Sequence, residues 1–479
     1  MKKIFTRVLC FLLIAICLVV PVSANSAQWY WNGVDASGAI ITDGDSPIVV
    51  ENELLTFDLQ EFPNNYSSDE SFLAYSGKVT AEYSFYNPSD MTVNATLVFP
   101  FGAYPSYAPG NQNLDTQKYG VSVNGEAVEV TVRHSLAINS YNGEFSFNSE
   151  IPPISNEYIS FGKYTPESVV NVYRWSLKGN EFSYNSSVCF AADINHLDES
   201  RDYYLVGANM GHLQKNGKFR IGDWVRQNGY IELYVFGDLL PELPQWKFYE
   251  DGGAEDGEEV DGIITYMGRE TISLIDFAMQ NYTDESGVSE IDWYNAVISE
   301  IYNNLHGGKY NILSLDAYER NYSKDFARCY QYSITLKPGE RIENSVTVPI
   351  YPSINTRYTS PIYEYTYLLS PAGSFADFGR LEIRINTPFY LVDSEVEGFS
   401  KTEDGYSLVT DGLPRDDDGR LKELVFTLSA EENPINKNKT PAGIMKNIVY
   451  IIIFFWPFIL IGIGALIVLF FIIKRLFRR

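Results

Sequence analysis

From Lys78 to Pro100 the side chains alternate in character with period two. Val79, Ala81, Tyr83 and Phe85 share one face, Asn87-Pro88-Ser89-Asp90 supplies a turn, and Val93, Ala95, Leu97 and Phe99 resume the alternation. Successive side chains of a strand point to opposite faces, so this pattern predicts a strand, a turn and a strand with one apolar face. Such a face has to be covered by another layer, which argues for a sandwich. A hairpin is expected next: Val121 and Val123, then Asn124-Gly125, then Val128, Val130 and Val132. Asn-Gly is the pair favoured in type I′ turns, where both central residues need positive φ.

The texture changes and then returns. An acidic, glycine-rich stretch from Glu250 to Gly262 reads as an exposed loop, and Thr271 to Tyr282 carries a mixed helical pattern. Trp293, Val297, Ile298, Ile301, Tyr302 and Leu305 recur at three and four. With Ser289 and Asp292 resembling a capping box and Gly307-Gly308 as the stop, they predict a helix from about Glu290 to Leu305. Strands resume over Arg328–Leu336, turn at Lys337-Pro338-Gly339-Glu340, and run through Val346 and Val348 to Ile350. Tyr363 to Leu369, Leu381 to Ile385 and the alternation of Leu424, Phe426 and Leu428 continue them. The expected fold class is therefore mainly β, with two β-sandwich-like domains at 25–249 and 309–429. An acidic loop and short α-helical insertion at 250–308 would lie between them.

The two ends predict export and anchoring. Residues 1–24 have a basic start at Lys2, Lys3 and Arg7, an apolar stretch from Val8 to Val20, and small residues around Val22-Ser23-Ala24, the layout of a cleavable signal peptide. Residues 448–473 carry no charge. As a helix at 1.5 Å per residue they would extend about 39 Å, enough to cross a bilayer with tilt. The basic tail at 474–479 places the C-terminus in the cytoplasm, and 430–447 reads as a polar tether. The expected location is the cell membrane, single-pass, with the N-terminal ectodomain outside and the lipid bilayer as partner of 448–473.

The whole chain has a formal net charge of −25, with 36 basic and 61 acidic residues. Three of the basic residues lie in the signal and four in the tail, leaving 29 against 61, a net −32 outside. So negative a surface repels nucleic acid and anionic lipid and favours solubility, cations or basic partners. Cys10 and Cys17 leave with the signal, so the exported part retains Cys189 and Cys329, either bridged or as two free thiols.

The segment Tyr83-Ser84-Phe85-Tyr86-Asn87-Pro88-Ser89-Asp90, with its following strand to Phe99-Pro100, resembles the start of inter-alpha-trypsin-inhibitor-type (VIT) β-domains. It is also similar to β-sandwich modules of bacterial single-pass membrane proteins. With the Asn-Gly hairpin included, the resemblance covers roughly a ninth of the chain. It implies a β-sandwich and no activity. VIT domains often precede an integrin-like metal-binding domain, but the Asp-x-Ser-x-Ser motif of such domains is missing, and Asp284-Glu285-Ser286-Gly287-Val288 lacks the second serine. Leu336-Lys337-Pro338-Gly339-Glu340 looks like the strand-turn-strand of Ig-like bacterial surface domains.

Residues able to carry chemistry are scattered. His134, His196, His212 and His306 form no paired-ligand spacing, and His306 suits the C-terminal end of its helix. Ser160-Phe161-Gly162-Lys163 matches Ser-x-x-Lys without the companion motifs of serine acyltransferases. Asp416-Asp417-Asp418-Gly419 suggests a calcium loop, but Arg420 stands where an oxygen ligand is needed. The stretch Asp251 to Asp261 is acidic enough to attract calcium, although such loops are usually solvated. Trp29-Tyr30-Trp31 is the densest aromatic cluster and reads as a plug at the end of a sheet.

No catalytic, cofactor-binding or metal site is therefore expected, and the chain is read as a non-enzyme without cofactors. The expected role is membrane-anchored binding or scaffolding at the cell envelope through the β-rich ectodomain, with an envelope protein or glycan as ligand and no nucleic acid. The alternatives are an accessory subunit of a membrane transporter or sensor complex, and a carboxylate-dependent envelope hydrolase.

Overall fold

A computed structural model of the chain describes residues 36–37, 39–41, 46–62, 77–102, 119–136, 154–178, 188–194, 200–213, 218–224, 229–250, 258–283, 287–307, 311–314, 326–440 and 445. The expected signal, transmembrane span and basic tail lie outside the described residues, as do Trp29-Tyr30-Trp31, 251–257, 284–286 and His196. Among the described residues no helix is long and apolar enough to cross a membrane.

The chain is mainly β. Its long N-terminal strands are β1 (Val49–Asp58), β2 (Gly77–Tyr86), β3 (Val93–Gly102) and β4 (Thr131–Leu136). The middle contributes β5 (Val169–Lys178), β6 (Cys189–Ile194), β7 (Arg201–Val206), β8 (Phe219–Trp224), β9 (Tyr230–Gly237) and β10 (Ile263–Ser273). Two helices follow, α1 (Leu274–Met279) and α2 (Glu290–Gly307). After them come β11 (Phe326–Leu336), β12 (Arg341–Ile350), β13 (Ile362–Leu368), β14 (Asp377–Asn386) and β15 (Leu424–Ser429).

Strands from the two ends of the chain make one sandwich. In one sheet β14, β1, β2 and β12 are successive neighbours, with β14 and β1 parallel. In the facing sheet β3 pairs with β11, and β11 with β4, while β13 pairs with β15. The inward faces of both sheets meet in one core that includes Phe57, Phe85, Phe99, Tyr365 and Phe426. The middle of the chain is inserted between β4 and β11. Its central sheet, in the order β10–β5–β9–β7, contributes to a hydrophobic core on each face. Tyr203 faces a second small sheet containing β6 and β8, and its neighbour Tyr204 faces α1 and α2.

This differs from the sequential division at 249 and 309. The strands from Phe326 onward complete the sheets begun before residue 136, and the inserted unit lies within 154–314, its last strand, Ile312–Ser314, pairing with β7. Local alternation identifies a strand but carries no information about which distant strand it pairs with. The helices are likewise a packed layer on the central sheet rather than a connector between two sandwiches.

A second correction concerns the turns. β2 and β3 do not pair with each other; each belongs to a different sheet, so Asn87–Thr92 carries the chain across the sandwich. Lys337–Glu340 does the same between β11 and β12. The two crossings lie side by side and are joined by Asn87, which is fully buried. Its Nδ2 donates to the carbonyls of Met91 (2.8 Å) and Leu336 (3.1 Å), and its backbone N–H donates to the Glu340 carbonyl (3.1 Å). The Asn-Gly turn, by contrast, forms as expected, with Asn124 and Gly125 at φ of 51° and 82° and Val123 paired with Glu126, but its return strand is only Glu126–Ala127, and Val132 lies on β4 opposite Tyr330 of β11.

Candidate functional site

The inserted unit supplies the candidate site, because α1 and α2 cover only part of the central sheet. α1 begins with a reciprocal capping box, in which Ser273 Oγ accepts from Asp276 N and the Asp276 carboxylate accepts from Ser273 N. It packs Leu274, Phe277 and Ala278 inward. α2 starts where expected, with Asp292 N donating to Ser289 Oγ (3.1 Å). The Asp292 carboxylate does not close a box there; it turns to Arg133 on β4.

Beyond the helices' cover lies a cavity of about 270 Å³. Its floor is the sheet, where Arg174 on β5 sits directly opposite Glu232 on β9. Its walls are aromatic: Tyr204, Phe277 and Trp293 are at least 94% buried, whereas Tyr230 at the mouth is 60% exposed. Trp293 Nε1 donates to Ala278 O (2.9 Å), so its indole presents only carbon to the cavity.

The polar part of the floor is a linked set. Arg174 Nε donates to Glu232 Oε1 (2.6 Å), and its Nη1 pairs with Glu270 on β10. The two carboxylates hold the guanidinium more firmly charged than usual. Tyr234 Oη donates to Glu232 Oε2 (2.6 Å) and lies 2.9 Å from Gln280 Oε1. Burial, with Glu232 beside it, pushes the Tyr234 phenol above its ordinary pKa. Tyr234 is therefore a neutral hydroxyl and Arg174 a fixed cation under physiological conditions. A recess that sets aromatic side chains beside a few convergent polar groups is a form that small-molecule sites take.

No protein-family model matches the chain, and no curated protein matches it. Among solved structures, the chain is similar to a protein of Legionella pneumophila subsp. pneumophila whose assignment to nutrient binding is provisional. Identity is 10%, the match covers 84% of this chain and 72% of that one, and the TM-score is 0.35, too low to establish a common fold.

The residues singled out in sequence fall elsewhere. Lys163 and His306 are brought together around Asp202, which is 2% exposed: Lys163 Nζ lies at 2.8 Å and His306 Nε2 at 3.4 Å from Oδ2, and Tyr164 Oη donates to the same oxygen. This is a fastening of the 161–164 turn and the end of α2 to β7. His134 is on β4, where burial lowers its pKa to about 4. His212 lies on a short strand that pairs with β8. The acidic turn at 416–418 is closed by Arg420, whose Nε lies 3.2 Å from Asp416 and whose Nη2 lies 2.5 Å from Asp418. At the end of the other acidic stretch, Glu259 pairs with Lys247 (2.7 Å). Cys189 and Cys329 are both buried, and no disulfide joins them. Among the described residues no group of three or more His, Cys, Asp or Glu is arranged to hold a metal.

Sequence reasoning missed the cavity entirely. Arg174 lies more than fifty residues before Tyr230 and Glu232, and each looks like an ordinary strand position. The one available signal was the alternation of charged and aromatic residues in Tyr230-Ile231-Glu232-Leu233-Tyr234, which is unusual for the solvent face of a sheet.

Proposed function

We propose that the protein is a membrane-anchored envelope binding protein that admits a small ligand to the cavity between its central sheet and α1–α2. The observation that carries this reading is the cavity itself: aromatic walls over a floor on which Arg174, Glu232 and Tyr234 converge. The action is recognition without catalysis, with residues 448–473 holding the body outside the cell membrane. The acidic surface suits an exported protein that avoids nucleic acid and anionic lipid.

The test uses the full chain purified in mild detergent from its own membranes. Native mass spectrometry is expected to show a co-purifying small molecule, and Gln280→Trp, which places a bulky ring at the exposed mouth, should abolish it. Retention of the same ligand by that variant would refute the cavity as the site. A chain ending at Lys446 should leave the membrane fraction; its persistence there would refute the anchor.

A second reading, a sensory subunit of a membrane complex, is favoured by one observation. α2 carries Trp293 in the cavity wall and, one residue earlier, Asp292 bound to the sandwich strand β4. Replacing residues 448–473 by an unrelated apolar helix would abolish a complex-dependent role and leave ligand binding intact.

A further inference from the structure

The geometry points to a neutral saccharide ring as the ligand of this cavity, held edge-on by Arg174 and Glu232 and stacked on Tyr230. This rests on the cavity being a binding site, and it adds the ligand's chemical class.

Three observations select the class. The first is charge. Arg174 is flanked by Glu232 and Glu270, so the floor has one excess negative charge, which opposes the approach of a carboxylate or phosphate. Anionic ligands are therefore disfavoured.

The second is hydrogen-bond supply. Arg174 uses Nε and Nη1 in its ion pairs, and among the described residues Nη2 has no partner, while the side chain is 37% exposed. A carboxylate oxygen keeps acceptor capacity after one bond, so Glu232 accepts further donors beside a donor that is itself unused. A cation would satisfy the acceptors and oppose the guanidinium. A hydroxyl both donates and accepts, and vicinal hydroxyls fit the adjacent donor and acceptor together.

The third is shape. The cavity lies just below the roughly 300–1,000 Å³ span of small-molecule sites, room for a single ring and little more. Tyr230 offers an exposed flat face at its mouth, and Trp293 has its only N–H already occupied. A saccharide ring has a C–H face for such a surface and an equator of hydroxyls for the floor.

The test is saturation-transfer NMR followed by calorimetry on the detergent-solubilised full chain, stripped of co-purified ligand. The probes are glucose, galactose and N-acetylglucosamine, set against glucuronate and glucosamine. At least one neutral sugar is expected to bind at least ten-fold more tightly than both charged ones. Tyr230→Ala, at an exposed position that does not threaten folding, should weaken it about ten-fold, and Gln280→Trp should abolish it. Preferential binding of glucosamine or glucuronate, lost in Gln280→Trp, would overturn the saccharide class as stated while supporting the cavity. Neutral-sugar binding unchanged in both variants would overturn the class and the cavity together. Absence of binding by every probe, with a co-purified ligand still lost in Gln280→Trp, would overturn the class alone.

Discussion

Arg133 on the sandwich strand β4 and Asp292 in the first turn of α2 form a buried ion pair, 2.6 Å between Nη2 and Oδ1, with both side chains at most 6% exposed. The pair is fully dressed. Arg133 also donates to Asn156 Oδ1 (2.8 Å) and Gln331 Oε1 (2.7 Å), and Asp292 Oδ2 accepts from His134 N (3.0 Å). It is the joint between the sandwich and the helix that walls the cavity.

Breaking one side of that joint leaves a charge buried without its counter-charge. Arg133→Leu and Asp292→Leu are each expected to lower the unfolding free energy by about 3–5 kcal/mol. The double substitution Arg133→Leu/Asp292→Leu should cost markedly less than the sum of the two. Urea denaturation of the full chain in detergent measures both. A strictly additive double variant would show that the two residues do not act as a pair.

Glu53 on β1 is buried in the sandwich core, and neither carboxyl oxygen has a hydrogen-bond partner among the described residues. Burial raises its pKa to about 7, and the nearby Tyr83 and Tyr367 hydroxyls only partly offset this. The folded state therefore holds a proton that the unfolded chain gives up near pH 4.5. Stability from this group is complete below pH 4.5 and is lost as pH rises to 7, about 3 kcal/mol in all. Glu53→Gln removes that loss, so the variant should gain on the wild type as pH rises from about 5 to about 8. A constant stability difference across that range would exclude the role.

His134 works in the opposite direction across nearly the same window. Its folded pKa is lowered to about 4 by burial, so its contribution is present above pH 6.5 and is lost as pH falls to 4. The two slopes largely cancel in the wild type between pH 4.5 and 6.5. Glu53→Gln should therefore expose a stability that climbs with pH there, and His134→Phe one that falls. Thermal melts of the two variants over about pH 4–8 check this; parallel profiles would contradict it.

Asn87 holds both sandwich crossings. Asn87→Ala leaves the Leu336 and Met91 carbonyls without that donor, and a loss of about 2–3 kcal/mol is expected. Amide hydrogen exchange should accelerate at Gly339 and Glu340 together with residues 87–91. Exchange confined to 87–91 would show that the crossings are independent.

At the far end of α2, Asp202→Ala should cost several times as much as Lys163→Ala. The lysine is 44% exposed, so its ion pair is worth under about 1 kcal/mol, whereas removing Asp202 strands the buried Tyr164 hydroxyl. Equal effects in chemical denaturation would refute this.

The local chemistry of this protein was legible in the chain alone. Alternation at Val79–Phe85 and Val93–Phe99 specified strands, Asn124-Gly125 a hairpin, and the three-four spacing of Trp293–Leu305 helix α2. These follow from backbone sterics and from side-chain period, which act within a few residues. What those elements met was settled by the packing of the whole molecule. Val79–Phe85 and Val93–Phe99 joined opposite sheets rather than each other, with Asn87 satisfied by a carbonyl 249 residues away. The partners of β1–β4 came in large part from beyond residue 326, which made 154–314 an insertion. The polar floor of the cavity exists because β5, β9 and β10 lie side by side, with Arg174 directly opposite Glu232 and within reach of Glu270, whose own cross-strand partner is Val172. No local pattern encodes such a meeting, since it depends on which distant faces bury one another most completely.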